Sequence, residues 1–194
     1  MEQNISSLVP AVGRMLRFFG ARQIKNRATL GGNLCTASPI GDLPPILIAL
    51  GAEAVIYSRD KERTIPLEDF FVNYRTTALA KGEILGKVRF PKPNNNTRVV
   101  AYKVSKRQEL DISTVSAGLL VELSEDKAVQ NARLCFGGMA ATPKRASNVE
   151  KALLGKTWSE ETILAASEEL KHDFTPLSDH RGSAWYRQTV AKNL

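Results

Sequence analysis

The chain has 194 residues, 43% hydrophobic and 24% charged, with a net charge of +7, enough for one generous domain or two small ones that share an interface. No apolar run approaches the ~18–20 residues of a membrane span and the opening MEQNISSLVPAV has no signal-peptide pattern, so no membrane partner and a cytoplasmic address are expected. Basic residues are scattered from Arg14 to Lys192, with only KVSKRQ locally dense, which reads as a solvated surface and not a nucleic-acid face, while Cys35 and Cys135 stand too far apart for a CxxC pair and read as reduced thiols.

In chain order, ISSLVPAVGRMLRFFG spaces Leu8, Val12, Met15, Leu16 and Phe19 as one amphipathic helix, with Pro10 compatible with a first turn and Gly20 as the stop. NRATLGGNLCTASPIGDLPP, Asn26 to Pro45, follows as a long polar, turn-forming segment. PPILIALGAEAVIYS divides at Gly51 into a short apolar helix, Ile46 to Leu50, and an alternating strand, Ala52 to Ser58. RTIPLEDFF predicts a short paired strand and then a helical turn. GEILGKVRFP and TRVVAYKVSK alternate as strands around the loop KPNNNT, Lys92 to Thr97, whose proline and asparagines mark it as the boundary between domains at 1–93 and 94–194.

Beyond that loop the pattern predicts two strands, Val115 to Leu123 and Ala128 to Phe136, joined by a charged hairpin. Three helical stretches follow. NVEKALLGK has Asn148 placed to cap it. SEETILAASEELKHDF opens on Ser159 as N-cap and offers Thr162, Ile163, Ala166 and Leu170 as its face. SAWYRQTVAKNL has Ser183 as its cap, with Trp185 and Tyr186 packing it down. Sheet first and helices afterwards is an α+β arrangement, not a doubly wound α/β one.

The polar segment carries the chemistry. Gly31 and Gly32 let backbone N–H groups converge on an anion; Thr29, Thr36 and Ser38 add hydroxyls, Asn33 an amide, and Asp42 an acceptor for ribose or ribityl hydroxyls. Together they suit a phosphate-bearing cofactor, although neither a P-loop nor a G-x-G-x-x-G fingerprint is present. A Gly-Gly-Asn element is also how a chain simply turns; the length of this one favours a site. No nucleophile, base and orienter set occurs, and His172 and His180 have no partner at ligand spacing, so no catalytic and no metal-binding residue is expected.

The run Gln23 to Pro45, QIKNRATLGGNLCTASPIGDLPP, closely resembles the FAD-binding segment of the flavoprotein part of xanthine dehydrogenases and related molybdenum hydroxylases. The resemblance extends through LIALGAEAVIYS, GEILGKVRFP and AYKVSKRQELDIS to LSDHRGSAWYRQTVAKNL, nearly the whole chain. It implies the second subdomain of an FAD-binding domain over 1–93, followed over 94–194 by a flavoprotein C-terminal α+β domain, a small antiparallel sheet packed with C-terminal helices. Carried over by position, Phe19 matches the aromatic that packs on the adenine, and Thr29, Leu30, Gly31, Gly32 and Asn33 match the loop around the FAD diphosphate. Asp42 matches a polar cofactor contact, and Leu85 and Lys103 match contacts near the flavin offered by the second domain. Phe19 and Leu85 also read as core residues, and Lys103 as a strand-surface charge.

The parent enzyme so implied passes electrons from a molybdopterin-binding subunit or domain through [2Fe-2S] clusters to FAD and on to NAD. A carbon monoxide dehydrogenase-type or nicotinate-type enzyme is the near alternative, and a non-redox nucleotide-binding or assembly module the distant one. The sequence departs from the family in lacking a first FAD subdomain and a cysteine-rich iron–sulfur domain ahead of this region. Half the flavin site is therefore expected to be missing, with the chain alone inactive and a poor holder of FAD.

Overall fold

Val9 interrupts the first helical stretch. In the computed structural model, which describes residues 2–107 and 110–194, α1 (Glu2–Leu8) and α2 (Pro10–Phe18) stand where periodicity predicts one helix. Val9 adopts φ −138°, ψ 89°, and Pro10 opens the new helix; a proline at that position has no N–H to offer the preceding turn and its ring excludes the residue before it from helical geometry. Helix α2 buries Ala11, Val12 and Met15 and leaves Arg14 and Arg17 exposed.

The polar segment is more helical than its composition predicts. It carries α4 (Leu30–Cys35), with α3 (Arg22–Lys25) just ahead of it. Thr29, in an extended conformation, accepts a hydrogen bond from the Gly32 N–H at 2.9 Å and so caps α4; that cap starts a helix whose paired glycines disfavour it. Next comes α5 (Leu43–Ala49), buried at every residue.

The first sheet has the order β2-β1-β5, antiparallel, from β1 (Glu53–Tyr57), β2 (Glu62–Pro66) and β5 (Ile84–Arg89). As the central strand, β1 buries Ala54, Val55 and Ile56 in succession, where the sequence predicts alternation. A hairpin, β3 (Phe71–Asn73) with β4 (Thr76–Thr77), lies between β2 and β5 in sequence. Leu85 stands on β5, so it belongs to this first sheet and not to the second domain.

The second sheet, also antiparallel, runs β6-β7-β8-β9 from β6 (Thr97–Val104), β7 (Val115–Leu123), β8 (Val129–Gly137) and the short edge strand β9 (Lys144–Arg145). Four helices complete this half: α6 (Ser147–Leu153), α7 (Glu160–Ser167), α8 (Leu170–Asp173) and α9 (Ala184–Asn193). Ser159 and Ser183 cap α7 and α9 as the pattern predicts. Asn148 does not cap α6. The carboxylate of Asp173, 4% exposed, does so from α8, accepting from the N–H groups of Asn148 at 3.0 Å and Val149 at 3.2 Å. Trp185 and Tyr186 do not pack α9 down either, being 74% and 39% exposed. Arg187 anchors that helix: it is buried and donates to the carbonyls of Thr114 and Gly138 and, at 2.8 Å, to Asp179.

Two apolar clusters form the interior, and the first crosses the chain's midpoint. It joins α2, α5 and β1 to Ala101, Leu120 and Cys135 of the second sheet; the second lies between that sheet and α6–α9. Around the shared cluster, Arg133 donates to the Ile48 carbonyl at 2.9 Å, Arg145 pairs with Glu150 at 2.6 Å and with Glu68 at 3.4 Å, and the Gly138 N–H meets the Pro39 carbonyl at 2.7 Å. Helix α5 reaches β7 because Gly118 has no side chain: a Cβ there would fall 2.3 Å from the Ile46 Cα and 2.5 Å from its nitrogen.

Gly118→Ala should therefore force α5 away from β7 and cost about 3 kcal/mol, at the upper part of the overpacking range. Gly31→Ala is the control, since a Cβ there meets nothing within 4 Å, and it should leave stability unchanged or raise it by about 1 kcal/mol. Urea denaturation of both variants measures the difference.

Candidate functional site

Asp42 occupies the N-cap position of α5, yet its side chain makes no capping hydrogen bond. The reason lies two and three residues on. An N-cap side chain serves the N–H groups of the second and third helical residues, and here those residues are Pro44 and Pro45, which have none. The carboxylate is free to turn elsewhere. Its Oδ1 accepts the Ser113 hydroxyl at 2.6 Å, and its Oδ2 accepts the Lys103 ammonium at 2.7 Å. Lys103 also donates to the Phe18 carbonyl at 3.1 Å. One buried pair thus binds the end of α2, the start of α5, strand β6 and the segment before β7; the Lys103 and Asp42 side chains are only 5% and 9% exposed.

The pair lies beside a groove between α2 and β6. A cavity of about 450 Å³ is lined by Met15, Phe18, Lys103, Ser105 and Arg107 among others. It adjoins a wider one of about 1110 Å³, bordered by Ser6, Arg17, Lys25 and Val99; Arg14, Phe18 and Ala101 border both. Arg14 places its guanidinium 5.4 Å from the centre of the Tyr102 ring, which links the two walls by a cation–π contact. The groove is basic, with the aromatics Phe18 and Tyr102 in its wall, and it follows the seam between the two halves of the chain.

The remaining sequence-selected residues form a second group at the head of α4. Thr29 and Gly32 are exposed, Gly31 and Asn33 half-buried, and Leu30 is 37% exposed. The Asn33 Oδ1 is buried without a hydrogen-bond partner, so it offers an acceptor to an incoming donor. Thr36 spends its hydroxyl on the Gly32 carbonyl at 2.8 Å, and the Ser38 hydroxyl accepts from the Ile40 N–H at 3.4 Å; both serve local structure. Leu85 is half-buried on β5, against which α4 packs. The two grooves are walled by α2 and β6 rather than by the glycine segment. Phe18 lines them, while Phe19 forms the C-terminal cap position of α2.

Arg14, Arg17, Phe18 and Ser113 were not singled out by sequence. Arg14 and Arg17 carry a readable signal, three residues apart on the face of α2 opposite Val12 and Met15. Nothing local announces Ser113, which is 71 residues from its partner. Among the described residues no group of three or more His, Cys, Asp or Glu side chains could hold a metal ion, and no helix is long and apolar enough to cross a membrane.

Two family models cover nearly the whole chain. Residues 1–93 match the FAD binding domain in molybdopterin dehydrogenase, and residues 100–194 match the CO dehydrogenase flavoprotein C-terminal domain. Nicotinate hydroxylase hnxS and a xanthine dehydrogenase, both of Emericella nidulans, are each 40% identical to it, over 97% and 93% of the chain. The chain spans 14% of the length of either relative. Among solved structures, a carbon monoxide dehydrogenase from Hydrogenophaga pseudoflava that lacks the Mo-pyranopterin moiety of its molybdenum cofactor superposes with a TM-score of 0.91 at 26% identity, covering 97% of this chain and 65% of that one.

Asp42→Ala would leave the Lys103 ammonium and the Ser113 hydroxyl buried without their acceptor. Breaking a buried pair from one side should cost about 3–5 kcal/mol. Equilibrium urea unfolding measures it; a loss under ~1 kcal/mol would mean that the pair behaves like a surface contact.

Proposed function

The chain belongs to the flavoprotein family of the molybdopterin dehydrogenases, and from that premise we propose that it is the FAD-holding, electron-carrying part of a cytoplasmic, xanthine dehydrogenase-like molybdenum hydroxylase. The observation that carries this reading is the Lys103 ammonium, fixed by Asp42 and the Phe18 carbonyl in the wall of a groove between the two halves. The residues present fit FAD. The orphaned Asn33 Oδ1 suits a hydroxyl or amide donor, the open space beside Gly31 admits a phosphate close to the backbone, and the basic groove suits a dianionic dinucleotide.

In this proposal Thr29, Leu30, Gly31, Gly32 and Asn33, at the head of α4, hold the diphosphate. Phe19, with Phe18 beside it, backs the adenine, and Leu85 and Lys103 border the flavin. Asp42 acts through Lys103, whose charge it fixes in place. When bound, FAD supplies a carrier that takes up and releases electrons. Lys103 holds a positive charge at that place, and a positive charge favours the more negative oxidation level. The apolar wall from Met15 and Ala101 excludes water around it and strengthens that interaction.

The wider enzyme, in the same proposal, carries its molybdopterin and [2Fe-2S] centres on other domains or subunits and delivers electrons to NAD. The likeness to a nicotinate hydroxylase supports a second reading, in which the same flavin module serves a nicotinate-type or carbon monoxide dehydrogenase-type enzyme. Both readings need a flavin.

Lys103→Met in the assembled enzyme should lower FAD affinity by about tenfold or more, the equivalent of losing one charge-assisted hydrogen bond of ~1.5–3 kcal/mol. Flavin content per protein, read by visible absorbance, and FAD titration of the apoenzyme measure it. A wild-type assembly that is colourless and takes up no FAD would overturn the reading in favour of a non-redox module.

A further inference from the structure

Ser113 lies in the segment between β6 and β7 and is 1% exposed. Its hydroxyl donates to Asp42 Oδ1 at 2.6 Å, while Lys103 donates to Oδ2 at 2.7 Å. The carboxylate is thereby divided, one oxygen for a neutral donor and one for the cation. Lys103 gives a second N–H to the Phe18 carbonyl at 3.1 Å. An ammonium has three donors, and the third has no hydrogen-bond partner among the described residues although Lys103 borders the 450 Å³ groove.

We propose that Ser113 is a positioning residue for the flavin site: by occupying Oδ1 it stops Asp42 from drawing the Lys103 ammonium onto both of its oxygens, and so keeps one N–H of that ammonium presented to the groove. The inference rests on the reading of Lys103 as a flavin contact. Its physical basis is the behaviour of a buried carboxylate. An oxygen deprived of its donor and shut off from water takes the nearest one available, and beside Asp42 that is the ammonium already bound to Oδ2. A hydroxyl is suited to prevent this because it satisfies the oxygen without adding charge, which leaves the ion pair balanced one to one. Removing it shifts the cation towards Asp42 and away from the groove.

The test compares Ser113→Ala, Ser113→Thr and Lys103→Met in the assembled flavoenzyme, with the FAD dissociation constant and the flavin midpoint potential as readouts and thermal melting as the measure of structural damage. Ser113→Ala should weaken FAD binding roughly tenfold. It should also move the midpoint potential downward, in the same direction as Lys103→Met, because a cation withdrawn from the flavin no longer favours the reduced, more negative level. Ser113→Thr keeps the hydroxyl and should restore both values. A Ser113→Ala enzyme that melts earlier but keeps wild-type affinity and potential, while Lys103→Met changes them, would overturn the positioning role and leave the lysine's standing. If Lys103→Met also changes neither readout, the flavin-contact reading itself fails and the role of Ser113 with it.

Discussion

The architecture depends on a backbone-to-backbone contact, that of Ile46 in α5 against Gly118 in β7. A seven-residue helix buried at every position cannot be held by one face; it needs partners all round, and α2, β7 and β8 supply them. Because Gly118 presents only backbone, the helix approaches the second sheet more closely than any side chain would allow. Ala101, Leu120 and Cys135 are thereby drawn into the cluster built by the first half. The seam between the halves, and hence the groove that follows it, has its position from this contact.

Fixing α5 also fixes Asp42 at its start. The two prolines of DLPP serve twice. They open the helix without N–H groups that need partners, and by doing so they release the carboxylate from the role its position would ordinarily give it. A charged side chain at the end of a buried helix then has to find partners across the seam, and Lys103 and Ser113 answer it from the other half. The local chemistry of a helix terminus becomes a long-range tie, and the tie sets where a cation stands.

Much of this was legible in the sequence where the signal is local. Val115–Leu123 reads as a strand and is one over that span, because a period of two with β-branched residues and a charged hairpin leaves few alternatives. Ser159 and Ser183 announce their helices. The failures share a cause: the deciding partner is distant in sequence. Asp173 caps α6 from 25 residues away, a partner that the local sequence around Asn148 does not announce. Arg187, not Trp185 or Tyr186, holds α9, because carbonyls of Thr114 and Gly138 wait for a donor. In the candidate site, the glycine run was visible by composition, although Thr29 shapes it into a helix. The Asp42–Lys103 pairing, 61 residues apart, was not visible as a contact; only the two residues were, Asp42 as a hydroxyl acceptor in the polar segment and Lys103 through a resemblance. The break at Val9 is local too, since Pro10 excludes the residue before it from helical geometry, but a hydrophobic period that runs on across the break masks it.

The chain's two thiols stand in opposite circumstances. Cys35 is exposed at the end of α4, whereas Cys135 is wholly buried in the cluster that the two halves share. Burial raises the pKa of both, partially for Cys35 and far more strongly for Cys135, where the nearby carboxylates of Glu150 and Glu68 push in the same direction. A thiol that ionises so reluctantly is inert to alkylating and oxidising reagents for as long as the seam is shut. Its modification is thus a chemical clock for the parting of the halves, with Cys35 alongside as an internal standard for the reagent.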